Sequence, residues 1–301
     1  MSDGKFVGNG AAFIAAALFG ASVVATRVAV GSVPPLSLAF LRFGQGGLIL
    51  LLFLFVRQPG HLRVKLSDLP YLALMGAVMF TIFPITFNVG LKFTEASRGA
   101  LMLSTMPLWS AWLARIARSE HLTLRQVGGI TLTLCGVAVA LAERGLTWQG
   151  VSLALVGDLL MLLTAVSGAV YGVLAQKMLK KYNVMTVTTY AMLIGTCLLF
   201  PAAFVEGLSQ AITKIDLRST SLILFLGICG GAIGYLLWTF ALSHLTPTQV
   251  AVYVNLNPMV ATVLGAALLA ERLTLVFTVC FVEVLAGVLL VNWPTKIVAK
   301  L

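Results

Sequence analysis

Charge is scarce in this chain. Of 301 residues only 10 are acidic and 20 are Lys or Arg, while 59% are hydrophobic, well above the roughly half-apolar average of soluble domains. The longest polar stretches, near residues 57–68 and 206–221, run to about a dozen residues, too short for a soluble domain. Whatever the chain does must happen between its helices. Histidine is nearly absent, and His61, His121 and His244 all fall in or beside expected loops, none with acids at metal-binding spacing. No metal and no cofactor are expected. Four cysteines, Cys135, Cys197, Cys229 and Cys280, lie inside apolar runs without paired spacing, which speaks against a zinc or disulfide framework. No nucleophile stands with a base or a metal cluster, so a membrane-embedded enzyme is disfavoured.

What is present is a series of apolar runs of about the 20 residues that span a bilayer. Ten can be counted, near 8–30, 34–56, 69–90, 96–117, 124–142, 151–175, 184–205, 219–242, 247–269 and 274–293. The fold class expected is an all-α polytopic membrane protein of ten transmembrane helices. The net charge of +10 then reads as topology and not as nucleic-acid affinity. With the N-terminus inside, Lys5, Arg57, Arg63, Lys65, Arg115, Arg118, Arg125, Lys177, Lys180, Lys181, Lys296 and Lys300 fall on the cytoplasmic side. Fewer basic residues fall opposite, and the positive-inside rule puts both termini in the cytoplasm. The run Phe6 to Ala25 has a thin basic flank and a counterpart near Leu160 to Leu174, so it reads as a retained first helix and not a signal peptide.

The second half of the chain repeats the first. Placing residues 71–141 on 222–292 without a gap sets Gly76 on Gly227, Leu91 on Leu242, Pro107 on Pro258, Glu120 on Glu271 and Gly136 on Gly287. An odd number of spans per copy makes the second copy enter from the opposite side, the layout of an inverted-repeat transporter. The expected units are 1–145 and 146–301, five helices each. Gly227, Gly230, Gly231 and Gly234, with Gly44 and Gly47, and Gly128 and Gly136, offer faces for close helix approach. The competing reading is that some of them let the backbone yield.

Pro107 and Pro258 lie mid-span at equivalent depths, where each removes a hydrogen bond to Leu103 or Val254. Paired interruptions point to a transport site at the midplane; a static kink is the alternative. Polar side chains favour the site. Tyr253 and Asn257 are spaced to share a helix face, as are Thr81, Pro84 and Asn88. With Met102, Tyr171, Tyr235 and Trp238, the residues Thr81, Asn88, Tyr253 and Asn257 form the expected substrate-binding set, and Pro84, Pro107 and Pro258 the expected kinks and gates. Aromatics of this sort also serve as packing or interface anchors.

Three ionisable residues fall within spans: Arg42, Asp158 and Glu283. Each is costly in lipid and is a candidate for charge or proton coupling. Arg42 has two candidate partners, Asp158 or a substrate carboxylate, and Glu283 suits a proton carrier. A static buried pair that fixes helix register is the third reading. The turns at Glu120 and Glu271, with Thr123–Gln126 and Thr274 at capping positions, read as structural.

At Phe19-Gly20-Ala21-Ser22, Leu41-Arg42-Phe43, the run Gly90 to Ser97, Pro107 with Pro258, and the two Glu-x-Leu-Thr turns, the chain resembles the drug/metabolite transporter superfamily, in its ten-helix branch of two EamA domains. Within it the chain is similar to bacterial amino-acid exporters of the YddG type. The resemblance implies a basket-like bundle with a central cavity built from helices 3, 4, 8 and 9 and gated by 1, 2, 6 and 7. It departs from small multidrug exporters, because Phe13 to Val30 holds no acid, and from phosphate-sugar transporters, because the cavity helices lack a basic cluster.

The expected function is export of small neutral or aromatic amino acids across a bacterial inner membrane by alternating access. Export of another metabolite or a lipophilic drug is the alternative, and an enzyme or a channel the remoter ones. The expected partners are the small-molecule substrate and the bilayer, with no nucleic acid; the sequence is compatible with a monomer and does not fix the oligomeric state.

Overall fold

A computed structural model describes residues 2–118, 124–143, 146–147, 150–269 and 274–292. They form α1 (Ser2–Ala29), α2 (Pro35–Arg57), α3 (Leu66–Phe93), α4 (Ala96–Leu103), α5 (Met106–Arg118) and α6 (Leu124–Glu143). A two-residue strand pair, β1 (Leu146–Thr147) with β2 (Gly150–Val151), follows. Then come α7 (Leu153–Leu179), α8 (Val184–Glu206), α9 (Leu208–Lys214), α10 (Leu217–His244), α11 (Pro247–Leu269) and α12 (Leu275–Asn292). Among the described residues seven helices, α1, α2, α3, α7, α8, α10 and α11, are long and apolar enough to cross a membrane. Helix also occupies the three other expected positions, as α4 with α5, α6 and α12. The outward faces carry exposed large apolar residues such as Leu52, Phe55, Val205 and Val263, as they must where lipid is the solvent.

Helix ends follow local chemistry. Asn183 and Asp216 accept from the amides of Thr186 and Ser219, each at 2.8 Å, to open α8 and α10. Thr246 and Gln249 form a reciprocal capping box on α11. Gly207, at φ 108°, takes the left-handed conformation that stops α8. Thr274 accepts from Phe277 N at 3.0 Å to open α12, as expected. The first amides of α2 have no cap of their own. Glu206 of α8 supplies it, accepting from Leu36 N and Ser37 N at 2.8 and 2.9 Å. The turns at Glu120 and Glu271 and the Thr123 cap lie outside the described residues.

The two halves interleave. α1 packs on α10 and α11, α2 on α8, the end of α3 on α7, and α6 on α12. Close approach needs missing side chains: a Cβ on Gly195 would collide with the Gly76 carbonyl of α3, and one on Gly234 would meet Phe19 at 2.7 Å. Gly128 is different, since a Cβ there meets nothing within 4 Å. It belongs to no tight seam.

Two long helices are widened in the same way. α3 turns into π-helix over Ala77–Ile82 and α10 over Leu226–Ile233; the offset that sets Gly76 on Gly227 carries 77–82 onto 228–233, inside the second stretch. In α3 the wide turn precedes Pro84, whose ring would clash with the carbonyl four residues back in a regular helix. A second pair of irregularities lies at Ser104–Thr105, where α4 gives way to α5, and at Tyr253–Asn255, a 3₁₀ turn within α11. Pro107 and Pro258 follow the ends of their breaks by two and three residues. They sit in the first turn of the continuing helix, where a missing N–H costs little.

Candidate functional site

Residues in or beside three of these irregularities, Met79, Leu103 with Met106, and Val254 with Asn257, line a small central cavity of about 30 Å³, room for about one or two waters. Its wall comes from both halves of the chain. α1 contributes Phe19, Ser22 and Val23, α2 contributes Arg42, and α3 contributes Met79, Phe83 and Phe87. Leu103 and Met106 flank the α4–α5 break, and Gly168, Tyr235, Trp238, Val254 and Asn257 complete the enclosure. The wall is mainly apolar and aromatic. Tyr235 is its hub, with ring centroids 4.9 Å from Phe19, 5.6 Å from Phe43 and 5.0 Å from Phe80.

Few polar groups reach this space, and several lack partners. Arg42 is 3% exposed and its Nε has no hydrogen-bond partner. Among the described residues no carboxylate lies within salt-bridge distance of it; the Phe43 ring lies 4.8 Å from its guanidinium carbon. Asn257 is 4% exposed with its Oδ1 unpartnered. Ser22 donates to Leu18 O at 2.8 Å, and its hydroxyl and the Arg42 guanidinium both crowd Gly230. A Cβ on Gly230 would collide with the Ser22 hydroxyl and come within 3.2 Å of Arg42 Nη2.

Of the expected substrate residues, Tyr235, Trp238 and Asn257 line this cavity. Tyr171 stands just behind it, fully buried, its hydroxyl 3.2 Å from Thr239 Oγ1. Met102 is buried in the core without reaching the cavity. Thr81 donates to Gly195 O at 2.8 Å and Asn88 to Pro35 O at 2.8 Å, so both tie helices together. Tyr253 points elsewhere, donating to Asn9 Oδ1 at 3.1 Å and lining a peripheral groove with Asn255. The shared face of Tyr253 and Asn257 assumed regular α-helix. Three 3₁₀ residues advance by about 120° each instead of about 100°, which rotates Asn257 by about 60° into the cavity and leaves Tyr253 outside. Pro84, Pro107 and Pro258 are buried and shape the backbone without lining the space.

Asp158 is not the partner of Arg42. It is fully buried in α7 and pairs with Arg98 of α4, Nη2 to Oδ2 at 3.2 Å and Nε to Oδ2 at 3.3 Å, while Thr94 donates to its Oδ1 at 2.5 Å. Arg98 sits at the start of α4, beside an expected loop, so sequence spacing offered no reason to link it with residue 158. Glu283 is half-buried where α12 meets α6 beside Gly136, away from the cavity. Phe19, Ser22, Phe83, Phe87 and Met106 were missed as cavity residues. The one available signal was Ser22, a lone hydroxyl that shares a face with Phe19 and Thr26.

Hydrogen bonds join the helices at both ends of the bundle. At one end Lys181 and Tyr182 reach Asp68 at 2.6 and 2.8 Å, and Tyr190 donates to Leu62 O at 2.6 Å. At the other, Arg27 donates to Leu91 O at 2.7 Å, beside the Glu206 cap on α2.

The model of the EamA-like transporter family matches residues 6–142 and again 155–293. The chain belongs to the EamA-like transporter family. An uncharacterized transporter of Archaeoglobus fulgidus is 28% identical over 276 residues, covering 91% of this chain and 93% of its own. A probable terminal-alkyne amino-acid exporter of Streptantibioticus cattleyicolor is 29% identical over 238 residues, 78% of this chain and 77% of its own. A probable amino-acid metabolite efflux pump of Salmonella typhimurium is 28% identical over 274 residues, 87% of each. One solved crystal structure superposes with a TM-score of 0.69 at 19% identity, covering 96% of both chains, and so shares the fold. This EamA-family chain is thus a multi-pass membrane transporter.

Proposed function

We propose that this transporter exports small neutral or aromatic amino acids across a bacterial inner membrane, by rocking two inverted five-helix repeats around the central cavity. In this reading all ten expected segments cross the bilayer and both termini face the cytoplasm. The observation that carries it is an aromatic-walled space with few polar groups, lined from both halves by residues in or beside breaks in their helices. Broken helices around a midplane site are how inverted-repeat transporters bind their cargo. The relative named a probable terminal-alkyne amino-acid exporter supports the substrate class.

Export of another small metabolite is the second reading, favoured by the relative named an amino-acid metabolite efflux pump. A cationic drug suits the site poorly, because the buried guanidinium of Arg42 would repel it. Counterflow tests the proposal. Purified protein in liposomes preloaded with unlabelled phenylalanine should transiently accumulate labelled phenylalanine above equilibrium, and absence of overshoot for every amino acid tried would sink it.

A further inference from the structure

We infer that this site recognises its substrate as a zwitterion, with the Arg42 guanidinium taking a carboxylate and the Asn257 amide oxygen taking an ammonium. The inference rests on the transport reading above and adds which groups of the substrate are read. Arg42 stays protonated at any physiological pH and carries five N–H donors in a planar fork. A buried charge persists only where it is paired and hydrogen-bonded. Here the protein supplies neither, since Nε is unpartnered and no described carboxylate lies in range. Phe43 offers its ring face at 4.8 Å, which attracts the charge but accepts no N–H bond in the plane of the fork. The missing partner is therefore planar and anionic, and it arrives from outside.

The second pole follows from Asn257. Its Oδ1 is a buried acceptor without a donor, in the wall of the same cavity as Arg42. An ammonium supplies the donor and brings no net charge when it accompanies a carboxylate, so the ligand as a whole is neutral. Ser22, whose hydroxyl already donates to Leu18 O, has lone pairs left to accept from Arg42 or the ligand. The remaining wall of Phe19, Phe83, Tyr235 and Trp238 suits an apolar side chain. Selectivity thus resides in the two backbone groups of an α-amino acid, and tolerance in its side chain.

Competition against phenylalanine counterflow in proteoliposomes of the full chain tests this. Phenylalaninamide lacks the carboxylate and should compete on the order of a hundredfold more weakly than phenylalanine, the penalty for leaving a buried guanidinium unpaired. 3-Phenylpropanoate lacks the ammonium and should compete at least about tenfold more weakly. Arg42→Lys should keep transport with reduced discrimination between acid and amide; Asn257→Leu should bring 3-phenylpropanoate level with phenylalanine. Equal competition by acid and amide in the wild-type protein, with counterflow intact, overturns the zwitterion site and leaves the exporter reading standing. That measurement needs no variant to fold. Inhibition of phenylalanine counterflow by chloride in place of gluconate, with acid and amide still competing equally, assigns Arg42 to an inorganic anion and also overturns it. Counterflow of no amino acid at all is the separate outcome that defeats the exporter reading itself.

Discussion

Replacing Arg98 by Met should destabilise the protein more than any single substitution at Arg42. Asp158 is fully buried, and among the described residues its hydrogen bonds go only to Arg98 and Thr94. At 3.2 Å, the Coulomb attraction of the pair is about 5 kcal/mol at an effective dielectric of about 20. Removing one partner leaves the carboxylate buried with a single hydroxyl, at a cost of about 3–5 kcal/mol. That loss should lower the apparent Tm by roughly 6–20 °C at the sensitivity of chains of a few hundred residues. The assay is thermal unfolding in detergent, followed by size-exclusion recovery, across a double-mutant cycle. Asp158→Leu should be about as harmful as Arg98→Met, and the double variant should recover most of the loss. The parallel cycle of Arg42→Met with Asp158→Leu should be additive, because those side chains share no contact. Coupling in the Arg42 cycle and additivity in the Arg98 cycle would show that the pairing described above is wrong.

Arg42→Met should raise Tm slightly while abolishing counterflow, since it removes a buried charge whose partner is the substrate; a lower Tm would mark Arg42 as structural. Gly195→Leu should cost about 1–3 kcal/mol or more, because its Cβ meets the Gly76 carbonyl, whereas Gly128→Ala should leave Tm unchanged within measurement. Glu206→Ala removes the acceptor of two α2 amides and should cost about 1–3 kcal/mol, read in the same melt, with Glu206→Gln losing less. The Asp216 carboxyl is held below its ordinary range by hydrogen bonds from the Ser219 side chain and backbone. Its cap on α10 is therefore complete above the ordinary Asp value of 3.8 and weakens as pH falls through its lowered value, a loss that Asp216→Asn should suppress in acid melts. For topology, His61→Cys and Thr213→Cys on a cysteine-free background should react with impermeant maleimide from opposite faces, the first from the cytoplasm; labelling from one face refutes the arrangement of spans.

What the sequence disclosed was whatever depends on one helix at a time. Apolar length located the helices, and Pro84, Pro107 and Pro258 marked where their backbones depart from regularity, because both effects act on neighbouring residues. Cross-chain geometry was out of reach. Nothing local ties residue 158 to Arg98, and Thr81 and Asn88 look like cavity residues until the carbonyls of Gly195 and Pro35 are brought beside them. Tyr253 was misplaced for a subtler reason, since the irregularity that marks the site also destroys the periodicity used to assign its faces. The same logic explains why Arg42 remained ambiguous. A lone charge in a span must find a partner, and sequence proposes the nearest candidate in kind, which was Asp158. Once the fold gives Asp158 to Arg98, Arg42 is left without a partner of its own. An unpaired buried guanidinium is poor design for stability, and its place in the wall of a central space lined by both halves, beside the unpartnered Asn257 amide, is the strongest reason to assign it to cargo.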